Sequence, residues 1–252
     1  MLPDATLADY ALRLGDDSLV LGQRLSEWCG HAPMLEIDLA LSNIALDLIG
    51  QASHFLKFAG RAEGRGRDAD SFAFRRDALD FRNCLLVEQP NGDFAQTMAR
   101  QFLFSNWQEL LFAQLQHSAN DTLADIARKA VKEVAYHAHF ANEWMVRLGD
   151  GTEESRARTI AGLEWMWRFT GELFERDPAL KPLVDAGVAV DVPSLRPDWE
   201  DRISRTLAEA RLELPKPRRW VMGGRVGHHS EHLGHLLSEM QFLQRAYPGA
   251  MW

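Results

Sequence analysis

Cys29 and Cys84 are the only cysteines in 252 residues. They are far apart and in no C-x-x-C spacing, which excludes a disulfide framework and predicts two reduced thiols. No apolar run approaches the roughly 18 residues that a membrane-spanning helix needs. The Met-Leu-Pro-Asp-Ala-Thr start lacks the basic and apolar regions of a signal peptide, so the expected compartment is the cytoplasm. Positive charge is scarce: Lys+Arg 28 against Asp+Glu 36 gives a formal charge of −8. That sign excludes nucleic acid or an anionic membrane as the main partner, since both require a basic face. Gly15, Gly22 and Gly223-Gly224 form no G-x-G-x-x-G or P-loop, so no nucleotide cradle is indicated. Strand signals are few, with Val188-Ala189-Val190-Asp191-Val192 the one short candidate.

What the chain has is helical periodicity. Tyr10, Leu14, Leu21, Leu25 and Trp28 form one apolar stripe over 4–28. Gly30-His31-Ala32-Pro33 ends that helix, and Pro33 suits the first turn of the next, over 34–59. A Gly- and Arg-rich loop follows over 60–71, then a shorter helix over 73–83 and a strong turn at Gln89-Pro90-Asn91-Gly92. Further helices are predicted over 93–118, 122–148 with Asp121 as N-cap, and from Thr152 to about 175. Pro178, Pro182, Pro193 and Pro197 mark a looser connector before helices over 198–213 and 230–246. With 46% hydrophobic residues this is enough for one all-α domain over 1–252. Its expected form is a ferritin-like four-helix bundle (about 4–149) with additional C-terminal helices (about 152–252).

Polar residues interrupt the expected core. Ile126, Ala130, Glu133, His137, Phe140 and Trp144 lie on one stripe, with Glu133 and His137 at its middle. Asp17 lies within the first helix's apolar stripe. Glu36, Asn43, Asp47, Gln51, His54 and Lys57 share a face of the second helix roughly 120° wide. If the first hairpin turns near residue 31, Asp17 stands level with about residue 46 and so beside Asp47. If the second turns near 120, Glu133 stands level with about 107 and so beside Asn106. A ferritin-like di-iron site takes one carboxylate from each of two helices and Glu-x-x-His from each of the others. Here the corresponding positions are Gly50, Tyr136 and Asn106, and both histidines are missing. Three readings of the polar set stand side by side. One is a buried network of Asp17, Asp47, Glu133, His137 and Lys132 filling a lapsed metal cavity. The others are a solvated face and a di-metal site of altered ligation. Near the C-terminus, His228/His232 and Glu231/His235 are spaced i,i+4 but form no His-Glu-x-x-His. Ser230 as N-cap and Glu231 against the helix dipole account for that stretch. The basic stretch with Lys216, Arg218, Arg219 and Arg225 reads first as a solvated loop and second, with Trp220 and Trp252, as a candidate partner surface.

The Leu12-Arg13-Leu14-Gly15-Asp16 run, Glu27-Trp28-Cys29-Gly30-His31-Ala32-Pro33, Leu35-Glu36-Ile37-Asp38-Leu39-Ala40-Leu41 and Leu86-Val87-Glu88-Gln89-Pro90-Asn91-Gly92 resemble one family. So do Glu231-His232-Leu233-Gly234, Glu239-Met240-Gln241 and Leu243-Gln244-Arg245. It is that of the structural C subunits of bacterial phenylacetyl-CoA epoxidases, and the similarity spans the chain. The resemblance implies a ferritin-like fold with no catalytic or metal residue and no cofactor of its own. It implies pairing with a homologous A subunit that carries di-iron and the CoA thioester. A small B subunit and a flavin/iron–sulfur reductase complete that system, which uses O2 and NADPH to epoxidise the ring. A di-iron oxygenase in its own right is the alternative; an iron-storage protein lacks the ligands.

Overall fold

The computed structural model describes residues 4–216 and 219–250, and among them no strand forms. The helices in chain order are α1 (Asp4–Ser26), α2 (Leu35–Glu63), α3 (Ala69–Phe74), α4 (Leu85–Glu88), α5 (Phe94–Leu115), α6 (Asp121–Gly149), α7 (Glu153–Trp167), α8 (Lys181–Asp185), α9 (Arg196–Glu209), α10 (Glu231–Met240) and α11 (Phe242–Ala246). The chain is all-α, and both long hairpins of the expected bundle are present. Its residues group into two compact units, Met1–Gln89 with Met222–Trp252, and Pro90–Val221.

In the first unit α1 and α2 form an antiparallel hairpin. The positions of two α1 glycines set its register: a Cβ on Gly15 would meet Phe55 and Leu56, and one on Gly22 would meet Ala45, Leu48 and Ile49. Asp17 is therefore level with about residue 53 or 54, not with Asp47, which lies about 10 Å further along the axis at 1.5 Å per residue. The expected pivot near residue 31 was wrong because the first turns of α2 run on past the end of α1, leaving Leu35 and Leu39 exposed. Pro33 precedes α2, whose N-cap is Met34. The helix also outlasts the expected end at 59. Helix formers carry it to Glu63, and Gly64, at φ 70°, stops it with its N–H on the Gly60 carbonyl.

The expected helix over 73–83 does not form. Asp68 caps α3, and the Ser71 hydroxyl and backbone N–H hold its carboxyl below the usual range. After Phe74 the chain breaks into a 3-10 turn, Ala78–Asp80. Arg76 and the backbone of Arg82 turn inward there to the carboxylate of Asp16. The last helical stretch likewise divides, at Gln241, into α10 and α11.

In the second unit α5 packs on α6, α7 and α9. Asn120, not Asp121, caps α6 by accepting from the Leu123 N–H at 3.1 Å, while Thr152 caps α7 as expected. The close approach of α7 to α5 depends on Gly162, where a Cβ would lie 2.8 Å from the Gln96 Cα. Trp199 anchors α9: it is fully buried, stacked on Trp167, edge-on to Phe174, and donates its indole N–H to the Leu103 carbonyl at 3.0 Å. The candidate strand over 188–192 has no strand to pair with. Val188 and Ala189 instead donate to the Leu183 carbonyl at the end of α8, and a 3-10 turn begins at Val192.

Two glycines of α2 should respond oppositely to alanine. At Gly60 a Cβ would lie 2.1 Å from the Arg67 carbonyl oxygen, so Gly60→Ala should cost about 1–3 kcal/mol. Gly50 has nothing within 4 Å, so Gly50→Ala should stabilise the chain by about 0.5–1 kcal/mol. Chemical unfolding of the two variants checks both signs.

Candidate functional site

The densest buried chemistry lies in the first unit. Mid-α1 is buried on every side from Leu14 to Gly22, so its adjacent carboxylates, Asp16 and Asp17, cannot reach solvent. Successive helix residues diverge by about 100° and face different neighbours, so each carboxylate is met by its own guanidinium. Asp16 is chelated by Arg76 and also accepts from the Arg82 backbone N–H at 2.8 Å. Arg76 spends other donors on the Phe72 and Asp80 carbonyls and covers the Phe81 ring at 4.1 Å. Asp17 is chelated by Arg225, at 3.0 Å to Oδ1 and 2.8 Å to Oδ2, and Oδ1 also accepts from the Cys84 backbone N–H at 2.7 Å. A third buried carboxylate, Glu88, ends α4. Its Oε1 accepts from the Ser230 N–H at 2.6 Å, and its Oε2 meets Asn83 Nδ2 at 2.9 Å and His229 Nδ1 at 2.7 Å.

These contacts bind residues 222–246 across the hairpin as a strap. Arg24 joins it by donating to the Glu88 carbonyl and, at 2.9 Å, to the His232 carbonyl. Gln241 Nε2 donates to the Ala73 and Arg76 carbonyls, at 2.9 and 3.0 Å. Ser230 occupies the α10 N-cap position, yet it makes no side-chain cap, and its backbone serves Glu88 instead. Arg225, expected in a basic partner surface, is a core ion-pair partner.

The remaining expected residues fall as follows. Asp47 is half-buried on α2. In the second unit Asn106 is buried, and its amide donates to the Phe102 carbonyl at 2.9 Å and to Asn142 Oδ1 at 2.7 Å. Asn142 is thus the residue bonded to Asn106. His137 is fully buried and Glu133 half-buried, whereas Lys132 is exposed and Tyr136 is 46% exposed. Neither of these last two belongs to a buried network. Arg219 is exposed, and Trp220 is half-buried with its ring against Gly171. Arg218 and Trp252 lie outside the described residues.

The donor set does not fit a di-iron pair. Among the described residues no three His, Cys, Asp or Glu side chains gather as a group that could hold a metal ion. Asp17, the α1 carboxylate that a di-metal site of altered ligation would have to use, has a guanidinium on both oxygens, and Asn106 is tied to another amide.

Sequence reasoning singled out Asp17 but passed over Asp16, Glu88, Arg76 and Arg24. A signal was available for the carboxylates: Asp16 sits among leucines on both faces of α1, and Glu88 follows Leu85-Leu86-Val87. Arg76 gave none. Removing one partner from such a pair leaves a stranded charge, so Arg225→Ala should destabilise the chain by about 3–5 kcal/mol. The double variant Asp17→Asn/Arg225→Met should lose less than the sum of its single changes, read as a double-mutant cycle in denaturant.

Comparison with known proteins agrees with the sequence blocks. The family model described as "Phenylacetic acid catabolic protein" matches residues 2–252. A curated protein of Escherichia coli (strain K12), named as the C subunit of 1,2-phenylacetyl-CoA epoxidase, is 50% identical over 246 residues, covering 98% of this chain and 99% of that protein. The chain therefore belongs to the phenylacetic acid catabolic protein family.

Proposed function

We propose that this chain is a non-catalytic structural subunit of a multicomponent phenylacetyl-CoA 1,2-epoxidase of the cytoplasm. In that role it pairs with and supports a homologous di-iron catalytic A subunit in aerobic phenylacetate breakdown. The name of the Escherichia coli relative supports membership of the complex. The observation that carries the structural role is the chelation of Asp17 by Arg225: a buried carboxylate with a guanidinium on both oxygens is a fold element rather than an open metal ligand. The residues of this chain then contribute rigidity, and the substrate and oxygen chemistry belongs to the partner.

The outer face of α2 supports the pairing. Leu35 is 69% exposed, Leu39 56% and Leu46 66%. At 100° per residue they share one face with Ser42, Gly50 and Ser53. Isolated exposed leucines are ordinary, but three on one helix face, beside a glycine where an added Cβ would meet nothing within 4 Å among the described residues, suit the close approach of another helix.

Two measurements test the proposal. Iron per chain should be negligible when the chain is made alone with ample iron, and should appear only in complex with the A subunit; about two irons on the isolated chain would make it an oxygenase in its own right. Leu39→Glu/Leu46→Glu should leave the unfolding midpoint nearly unchanged while abolishing co-purification with the A subunit. Undiminished co-purification would show that this face is not the one that pairs.

A further inference from the structure

The contact between Glu88 and His229 carries a proton count that the rest of the ion-pair cluster does not. His229 Nε2 lies 3.0 Å from the Phe81 carbonyl oxygen, which can only accept, so Nε2 bears a hydrogen. Nδ1 lies 2.7 Å from Glu88 Oε2. At that separation one hydrogen must lie between them, on the imidazole or on the carboxyl. A neutral histidine beside an ionised glutamate has one hydrogen too few, and would set a nitrogen lone pair against a carboxylate oxygen where the two side chains are 4% and 0% exposed. Glu88 also accepts from Asn83 and the Ser230 N–H, which favours the carboxylate and so places the hydrogen on an imidazolium.

We infer that the C-terminal strap docks by trapping one proton between Glu88 and His229, so that its attachment is strong at low pH and loosens as pH rises. The charged groups around the pair come from several elements. Arg82 shares the Phe81 carbonyl with His229 and lies 3.6 Å from Asp9 of α1. Arg24 of α1 donates to the Glu88 backbone carbonyl and pairs with Glu27. Arg225 of the strap donates to the Arg82 carbonyl while chelating Asp17. Of the side-chain types gathered here, imidazole is the one whose ordinary titration lies near neutrality, so the shared proton is what changes there. The arginines oppose an added positive charge, and Glu88 favours it. Loss of the proton removes the His229 contact and weakens the hold between Arg225 and α10, where the Ser230–Glu88 and Arg24–His232 bonds remain, as do the Asp17–Arg225 and Gln241 attachments. The opening is therefore local, over about residues 226–233.

Amide hydrogen exchange of the full-length chain tests this, read as protection factors so that the base-catalysed rate divides out. As pH rises above the ordinary imidazole range the protection of residues 226–233 should fall, by up to about tenfold per pH unit for one linked proton, with α2 as an unchanged reference. Glu88→Gln supplies an amide N–H to a neutral His229, so its strap should show no such dependence. His228→Gln, at the exposed neighbouring histidine, should keep the wild-type slope. Protection that stays flat in the wild-type chain would overturn the inference, as would a Glu88→Gln strap that keeps the wild-type pH dependence. If Glu88→Gln fails to fold, the wild-type profile decides by itself.

Discussion

Two adjacent carboxylates in the middle of a helix with no solvent-facing side govern the first unit. Asp16 and Asp17 leave the α1 axis in different directions, and each needs a cation, because an unpaired charge at that depth costs several kcal/mol. Neither α1 nor its hairpin partner α2 supplies one. Asp16 is answered by Arg76 from the segment that follows α3, and Asp17 by Arg225 from the far end of the chain. Satisfying those charges therefore dictates where two irregular stretches run. The same requirement explains why residues 75–84 abandon helical geometry: their backbone N–H groups at Arg82 and Cys84 are committed to the two aspartates.

What was legible in the sequence follows from the range of the interactions involved. Periodicity is local, and it located α1, α2, α5, α6 and α9 to within a few residues, along with the all-α class and the Thr152 cap. It erred where a distant partner overrode local preference. Residues 73–83 have helical composition, yet their donors answer carboxylates about sixty residues earlier in the chain. The hairpin levels erred because the overhang of α2 beyond α1 is set by packing at Gly15 and Gly22, which no turn-counting rule contains. At the candidate site, Asp17 stood out as a charge in an apolar stripe, but its answering cation lies 208 residues away. Arg225 itself sits in a stretch whose prolines, glycines and arginines look like a solvated loop.

Each unit has a different balance of closed and open surface. In the second, α5 is buried around nearly its whole circumference, with Arg100, Gln101, Ser105 and Asn106 among its fully or almost fully covered polar residues. In the first, α2 spends its inner face on the hairpin and keeps three leucines outward. That contrast suits a chain whose interior serves permanence and whose surface serves association.

The Asp17–Arg225 bond also fixes an order of events during synthesis. Residues 90–221 are contiguous and can close on themselves as soon as they clear the ribosome. The unit that begins the chain cannot, since Asp17 waits for a partner translated 208 residues later. At about 5–20 residues per second that wait is roughly 10–40 s. The first segment made is thus among the last to reach its final state, and a message truncated shortly before codon 225 would yield a finished second unit joined to a hairpin with an unanswered charge at its centre.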